Sequence, residues 1–250
     1  MRRLNYLWRL IGTGIAFPYV FFGGGILALL FRFIPFHSRE RTQKYIRLFF
    51  RFYLRLLQFF GIISLEVIGA ENLYRGGRML IANHPSLLDV VILMAQIPNA
   101  QCIVKQQLWD HRLLGRLMRS AGYISNGLEG EQFVEQCKNS ITKGQCLILF
   151  PEGTRTIPGQ MPKFQRGFAN LALYTQAPIQ RVIISCNPPT LVKGERWWHI
   201  PPAKPHFKLI VEKPLDASYY NEYNKQNRGI AARHLVKDME NYYAEKIKNE

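Results

Sequence analysis

The chain has 250 residues, 48% of them hydrophobic and 13% aromatic, so it can bury a full core in one or two domains. Lysine and arginine number 33 against 17 acidic residues, and the net charge of +16 predicts an anionic partner: a nucleic acid, a lipid surface or a phosphorylated substrate. The four cysteines show no paired or metal-ligand spacing, which is typical of buried thiols in a reducing compartment.

The distribution of the charge narrows the choice of partner. Residues 1–60 carry ten basic side chains and one acid, Glu40, so +9 of the +16 lies in the most apolar part of the chain. Soluble nucleic-acid-binding arms are rarely this apolar, and the rest of the chain carries only +7 (23 basic minus 16 acidic) without a recognised motif. The sequence therefore indicates a membrane lipid as the partner and no nucleic acid.

The first predicted element is a membrane segment. Residues 10–31 carry no charge over about 22 positions, the length that crosses a bilayer core, and Arg9 and Arg32 flank them. Pro18 and several glycines disfavour an unbroken helix and predict a kinked or re-entrant one. Whether the segment spans the membrane or only embeds in it stays open.

A second helix is predicted over residues 41–60. Basic residues recur at helical spacing among apolar and aromatic ones: Lys44, Arg47, Arg51 and Arg55. One interpretation is an interfacial helix whose cations meet anionic headgroups. The alternative is a core helix with a solvated, charged edge.

After Gly61 the composition becomes that of a folded α/β domain, which predicts a division into residues 1–61 and 62–250. Strands are predicted over 62–68, 79–82, 101–104, 145–150, 179–185 and 207–211, and helices over 109–120, 129–142, 167–175 and the tail from 216. Alternating strands and helices predict an α/β fold with a largely parallel central sheet covered by helices, and an N-terminal membrane-associated helical segment. The C-terminal helix is expected to pack back on this domain.

The stretch from Asn83 to Asp89 follows the predicted strand 79–82, where open α/β sheets place their sites. Asp89 can accept the proton of one His84 ring nitrogen, which leaves the other as a base for a substrate hydroxyl. Ser86 and Asp89 also fit a capping box, in which Ser86 caps the following helix. The two interpretations share one geometry and are compatible.

A second stretch, Phe-Pro-Glu-Gly-Thr-Arg at 150–155, follows another apolar strand. It fits an ordinary turn, but Glu152 could accept hydrogen bonds from a polyol and Arg155 could bind a phosphate. Three more cations are expected at the same carboxyl edge of the sheet: Lys105, Lys163 and Arg166. The helix predicted near Gly167 would favour an anion there as well.

The two stretches together resemble the glycerolipid acyltransferase family typified by 1-acylglycerol-3-phosphate (lysophosphatidate) acyltransferase. The N-H-x-x-x-x-D signature of that family is similar to Asn83, His84 and Asp89, and its F-P-E-G-T-R signature matches residues 150–155 letter for letter. The resemblance covers roughly residues 62–190.

The resemblance implies direct attack of an acceptor hydroxyl on an acyl thioester, with His84 as base and Asp89 as its orienter. The donor substrate would be acyl-CoA or an acyl carrier protein thioester, and no metal or other cofactor is implied. Glu152 and Arg155 would bind the glycerol phosphate with help from Lys105, and the predicted binding set also contains Asn83, Gly153, Thr154, Lys163 and Arg166. No covalent acyl-enzyme is implied, and the sequence has no G-x-S-x-G elbow and no cysteine within either motif. The N-terminal helices would embed in one leaflet, at the cytoplasmic face of the inner (cell) membrane, where thioester donors are made.

Two departures from the family pattern bear on the acceptor. Where the family often carries a Gly-x-Ile-aromatic-Ile-Asp-Arg stretch, this chain has the run Gly-Tyr-Ile-Ser-Asn at 122–126, with no acid or arginine. The familiar Val-Pro-Val strand is replaced by residues 178–182. The acceptor is therefore lysophosphatidate, a similar lysophospholipid, or another lipid or glycolipid. A non-catalytic protein that binds the membrane surface is the alternative from another class.

Overall fold

The computed structural model describes residues 2–33, 38–74, 76–196 and 198–248, and the side chain of the flanking Arg32 lies outside that description. The strands are β1 Ser64–Ile68, β2 Arg78–Ala82, β3 Ala100–Val104, β4 Ile124–Ser125, β5 Cys146–Leu149, β6 Ile179–Asn187 and β7 His206–Val211. The helices are α1 Arg2–Pro18, α2 Gly24–Phe33, α3 Arg39–Phe59, α4 Leu88–Gln96, α5 Gln106–Trp109, α6 Leu114–Ser120, α7 Gly130–Thr142, α8 Arg166–Thr175 and α9 Arg228–Lys248.

The strands form one sheet in the order β1-β7-β6-β2-β5-β3-β4. Every neighbouring pair in this described sheet is parallel except β6 and β7. Strand β2 is buried along its whole length: Met79 and Ile81 face one apolar core, and Leu80 and Ala82 face the other. Helices cover both faces, which is why the central strands are continuous apolar runs. The predicted α/β fold class is confirmed.

The structure differs from the prediction in two places between β3 and α7. Of the helix expected over 109–120, only α6, Leu114–Ser120, is formed, and α5 ends at Trp109. The chain restarts as a helix at α6 because the His111 ring accepts the backbone N–H groups of Leu113 and Leu114. Strand β4 is only two residues long and pairs with the end of β3. A strand this short carries no alternation that the sequence could reveal.

The N-terminal apolar segment is one continuous helix, in which a π-helical turn, Tyr19–Gly23, joins α1 to α2. Pro18 has no amide proton, and the helix widens immediately after it instead of ending. The most apolar 18-residue window within Leu4–Phe31 has a mean hydropathy of 1.9, and 22% of that window is buried. Within the described ranges it is the one helix long and apolar enough to cross a membrane.

Helix α3 packs into the same apolar core as the sheet through Tyr53, Leu54 and Leu57. Arg39 donates to Gly122 O at 2.8 Å, and Gln43 donates to Ala121 O at 2.9 Å, so α3 is also bonded to the loop before β4. The core is therefore continuous across residue 61, and the division at that point stays a prediction.

The predicted basic stripe on α3 serves two purposes. Lys44, Arg51 and Arg55 are exposed, as an interfacial helix requires. Arg47 is half-buried and donates to Ala95 O and Gln96 O, the carbonyls that end α4. One member of the stripe thus stabilises the fold and contacts α4.

The segment that replaces the familiar Val-Pro-Val strand contains a buried polar pair. Gln180 accepts a 2.5 Å hydrogen bond from Nε of Arg78, which is 1% exposed, and Arg78 Nη2 also donates to Leu73 O. Gln180 in turn donates to Asn72 O and Glu212 O. The substitution of a glutamine for an apolar residue is explained by the buried arginine opposite it.

We predict that Gln180→Leu lowers the free energy of unfolding by about 2–4 kcal/mol, because it removes the acceptor of a buried guanidinium. Arg78→Met combined with Gln180→Leu should recover most of that loss. Denaturant unfolding in detergent measures the effect, with Gln132→Leu on the exposed face of α7 as the matched control. A single variant as stable as the wild type would contradict the account.

Candidate active site

The site begins where β2 ends. Asn83 is 4% exposed, donates from Nδ2 to Ile184 O at 2.8 Å and accepts from Ile184 N at 2.7 Å. Its side chain therefore continues the pairing of β2 with β6 for one more residue. Both ends of its amide are bonded within the protein, so the structure gives Asn83 a structural position, and its contact with substrate stays a prediction.

His84 and Asp89 form the predicted pair. His84 Nδ1 lies 2.9 Å from Asp89 Oδ2; the histidine side chain is 14% exposed and the aspartate side chain is fully buried. Because a carboxylate only accepts, Nδ1 carries the proton and Nε2 is left as the acceptor. The ring stacks on Phe150 with centroids 4.2 Å apart. Phe150, the first residue of the second motif, therefore covers one face of the His84 ring.

The capping box forms in part. Asp89 Oδ2 accepts from Ser86 N at 2.7 Å, as such a box requires. The Ser86 hydroxyl accepts from Leu88 N and donates to Thr190 O at 2.8 Å, so the reciprocal bond to the amide of Asp89 is replaced. Ser86 thus ties the turn to the loop after β6 as well as to the start of α4.

Burial raises the pKa of Asp89 to about 6, while the hydrogen bonds from His84 and Ser86 act in the opposite direction. The cause is desolvation: the carboxylate lies entirely inside the protein. An ionised Asp89 consequently depends on its two N–H donors, and the same donors fix its position beside the imidazole.

The second motif is bonded directly to the first. Glu152 is 7% exposed; Oε1 accepts from His84 N at 2.8 Å, and Oε2 accepts from the Thr156 hydroxyl. Thr156 N donates to His84 O at 2.7 Å. Burial raises the pKa of the Glu152 carboxyl. Both carboxylate oxygens are engaged within the protein, so the structure shows Glu152 holding the catalytic turn, and its binding of a polyol stays a prediction.

Gly153 and Thr154 are exposed at the tip of the same turn. Gly153 has φ +69°, a left-handed conformation that glycine adopts without strain. The two residues therefore present backbone at the mouth of the site, which is compatible with the predicted contact to substrate.

Arg155 is bonded to the segment 188–203, here called the β6–β7 loop. Its Nη1 donates to Leu191 O at 2.7 Å and to Val192 O at 2.8 Å, and Leu87 N donates to Leu191 O at 3.1 Å. At its other end, this loop accepts hydrogen bonds from Arg9 of α1 at Pro202 O and Ala203 O. No periodicity or motif in the sequence predicts that Arg155 and Arg9 bind this loop.

The remaining predicted cations are separated by the fold. Lys105 is exposed at the carboxyl end of β3, on the same sheet edge as the ends of β2 and β5. Lys163 is exposed too, but it lines a surface groove together with Glu240 and Asn241 of α9. Arg166 is exposed at the first position of α8. Lys105 and Arg155 thus stay candidates for an anion at the sheet edge, whereas the groove at α9 places Lys163 elsewhere.

One cysteine lies closer to the site than the sequence order indicates. Cys186, on β6, lines a cleft together with Asn83 and Pro85. Burial raises the pKa of its thiol to about 12, which disfavours a thiolate nucleophile. Among the described residues, no group of three His, Cys, Asp or Glu side chains is arranged to hold a metal ion.

Comparison with known proteins identifies the domain that carries these motifs. Residues 64–185 match the model of the Acyltransferase family. A 1-acyl-sn-glycerol-3-phosphate acyltransferase from Limnanthes alba is 34% identical over 130 residues, which are 49% of this chain and 46% of the relative. The human 1-acyl-sn-glycerol-3-phosphate acyltransferase alpha is 29% identical over 189 residues, 72% of this chain and 66% of the relative. The matches span between 36% and 66% of the length of the curated relatives compared, and about half the length of the relative from Limnanthes alba.

A solved structure has the same fold along the whole chain. The crystal structure of the 1-acyl-sn-glycerophosphate (LPA) acyltransferase PlsC from Thermotoga maritima matches with a TM-score of 0.68 at 23% sequence identity, and the match covers 100% of this chain and 99% of that one. The similarity includes the N-terminal helices as well as the sheet.

We predict that Arg155→Ala loosens the β6–β7 loop, because two carbonyls lose a charged donor. Amide exchange at Leu87 and Val192, measured by hydrogen exchange and mass spectrometry, should accelerate by about tenfold or more. Lys163→Ala removes a nearby cation without touching this loop and is the control. Unchanged exchange in Arg155→Ala would show that Arg155 does not fix the loop.

Proposed function

We propose that this chain, which belongs to the glycerolipid acyltransferase family, transfers an acyl chain from a thioester donor to the free hydroxyl of lysophosphatidate or a similar lysophospholipid. The observation that carries the proposal is the 2.9 Å bond between His84 Nδ1 and the buried Asp89 carboxylate, in a turn that the second motif holds in place. The relatives are named as 1-acyl-sn-glycerol-3-phosphate acyltransferases, which supports lysophosphatidate as the first acceptor to test.

The reaction proceeds by direct attack. His84 Nε2 takes the proton of the acceptor hydroxyl. At the same time the hydroxyl oxygen forms the new C–O bond to the carbonyl carbon of the thioester. The C–S bond then breaks, and the proton passes from the imidazolium to the leaving sulfur, which departs as a thiol. Asp89 keeps the Nδ1 proton in place and stabilises the imidazolium by its negative charge.

The surroundings of the histidine support a route without an acyl-enzyme. A serine or cysteine nucleophile would need to lie within hydrogen-bond reach of the base. In the part of the chain that the structure describes, the His84 ring is hydrogen-bonded to the Asp89 carboxylate and to no serine or cysteine side chain. The thiol of Cys186, with its raised pKa, is a poor nucleophile.

The acceptor's phosphate would bind at the carboxyl edge of the sheet. Lys105 is exposed there. Arg155 uses Nη1 for the β6–β7 loop, so an anion would bind through its remaining N–H groups. The exposed backbone at Gly153 and Thr154 lies on the same turn as Arg155 and would complete the contacts.

A different lipid or glycolipid acceptor is the second candidate, and the loop beside Lys105 favours it. Asn126 Oδ1 accepts from Gln106 N at 2.8 Å, and Ser125 also bonds to the Gln106 side chain. Polar uncharged groups thus occupy the position next to Lys105. Fewer cations at this edge would favour an acceptor headgroup with less negative charge than a phosphate monoester.

Membrane association accounts for the positive charge that is concentrated in residues 1–60. The helix that includes Leu4–Phe31 exposes large apolar side chains, and α3 presents Lys44, Arg51 and Arg55. Apolar contact with acyl chains and cationic contact with headgroups would hold the enzyme where its lipid acceptor resides. We place the site at the cytoplasmic face, because thioester donors are made on that side.

We predict that His84→Ala lowers kcat by a factor of about 10² or more, because the attacking hydroxyl loses its base. Purified protein in detergent would be assayed with acyl-CoA, or an acyl carrier protein thioester, and lysophosphatidate. The control is His234→Ala, on the exposed side of α9. Turnover that survives in His84→Ala would refute the assignment of the base, whereas turnover with another lysolipid alone would select the second acceptor.

We predict that kcat falls as pH decreases through about 6. Burial raises the pKa of Asp89 from 3.8 to about 6, so the folded enzyme takes up the inactivating proton at a higher pH than an exposed aspartate would. The pair titrates as a unit, so the measured limb belongs to His84 and Asp89 together.

The profile of kcat against pH should be measured for the wild type and for Glu152→Gln, since burial also raises the pKa of Glu152. The amide oxygen of glutamine can still accept from His84 N, but it cannot titrate. We expect the acidic limb to persist in Glu152→Gln. Its disappearance would assign the limb to Glu152 instead.

A further inference from the structure

A cleft of about 220 Å³ lies beside the catalytic turn and has no role in the account so far. It is lined by Pro85 of the turn, by Thr156 and Gln160 after the second motif, by Cys186 and Val192, and by Ile247 near the end of α9. Asn83 and Pro85, the neighbours of His84, both line the cleft, and Thr156, which also lines it, donates from its backbone N–H to His84 O. One end of the cleft, here called the inner end, therefore adjoins the backbone of His84.

The cleft adjoins a second concavity. Gln160 and Pro162 line both, and the second groove is also lined by Lys163 and by Asn241 and Ala244 of α9. The two concavities together mark a path along the surface from the catalytic turn to the last turns of α9.

Four lysines cluster around this path: Lys163, Lys193, Lys246 and Lys248, all exposed. Lys163 lines the second groove, Lys193 follows the lining residue Val192, and the other two flank the lining residue Ile247. The acids nearby are Glu152, Glu195 and Glu240, which accept hydrogen bonds within the protein, and Glu245. Of these four acids only Glu245 is exposed, so the exposed charge around the path is mostly positive and fits an anionic ligand.

The two ends of the path belong to opposite faces of the sheet. The ring of His84 stacks on Phe150, which packs against the core shared with α1, α2 and α3. Helix α9 packs on the other core, to which Ile247 also belongs. A ligand that enters along α9 would therefore reach the base from the side away from the apolar N-terminal helix.

From this arrangement we propose that the cleft binds the phosphopantetheine arm of the acyl thioester donor, with its phosphate on the lysines beside α9. The inference rests on the proposed function. A thioester joins an acyl chain, which suits the face with the apolar helices, to a polar arm that ends in phosphate. The arm is common to CoA and to acyl carrier protein, so both donors fit the same path.

The test compares donors in a variant with reversed charge. Lys163→Glu with Lys246→Glu should raise the KM for acyl-CoA about tenfold at low ionic strength, with kcat and the acceptor KM unchanged. The acyl thioester of N-acetylcysteamine, which lacks the phosphate, should show no change in KM. The matched control is Lys143→Glu with Lys225→Glu, which changes the net charge equally at exposed positions away from the cleft.

A second variant tests the passage itself. Gln160→Trp, in the surface loop shared by the two concavities, should raise the KM for acyl-CoA more than that for the truncated thioester. Acyl carrier protein thioester, assayed in parallel, shows whether the carrier protein gains additional affinity from the lysines. An unchanged KM for acyl-CoA in both variants would overturn the proposal, and so would equal losses with the truncated donor.

A direct measurement of CoA binding tests the cleft independently of the proposed transferase activity. Titration calorimetry of the wild type with CoA should show binding that the Lys163→Glu, Lys246→Glu variant weakens about tenfold, even if no acceptor supports turnover. Turnover with intact acyl-CoA but no weakening of CoA binding in the variant would contradict the cleft and leave the transferase function standing.

Discussion

The interaction on which the rest of the site depends is the acceptance of two N–H groups by the buried carboxylate of Asp89, one from Ser86 and one from His84. A carboxylate that is fully buried is stable as an anion only when donors replace its water. The donor from Ser86 fixes the backbone of the turn at the start of α4, and the donor from His84 fixes the imidazole. A single desolvated group therefore determines both the local fold and the tautomer in which Nε2 of His84 is free to accept a proton.

The other motif residues hold this turn from different directions. Asn83 bonds it to β6, Glu152 bonds the amide of His84 to the second motif, and Ser86 bonds it to the β6–β7 loop. Arg155 reinforces the same loop at Leu191 and Val192. Most of the polar groups in the two signatures are thus used for positioning, and in the mechanism that we propose His84 alone takes a proton from the acceptor. Such support is what keeps a catalytic group within the narrow range of useful geometry.

The sequence predicts the sheet and most helices because long apolar runs and helical spacing report directly on burial. The sequence also predicts the contact between His84 and Asp89. His84 follows the end of a strand and Asp89, five positions later, lies in the first turn of the next helix, so the two side chains can meet. The roles of Asn83 and Glu152 could not be predicted, because each depends on a partner about 70 to 100 residues away. The same holds for α3: its basic residues indicate a surface helix, but only the structure shows Arg47 at the end of α4 and Tyr53 in the core of the sheet.

The β6–β7 loop connects the apolar N-terminal helix to the turn that carries His84, through Arg9 at one end and Ser86 and Arg155 at the other. In the direct attack that we propose, acceptor and donor must both be bound at His84 at the same time. Initial rates measured while both substrates are varied test this claim most directly. The account predicts intersecting double-reciprocal lines, which indicate a ternary complex; parallel lines would indicate an acyl-enzyme intermediate and would contradict direct attack assisted by His84.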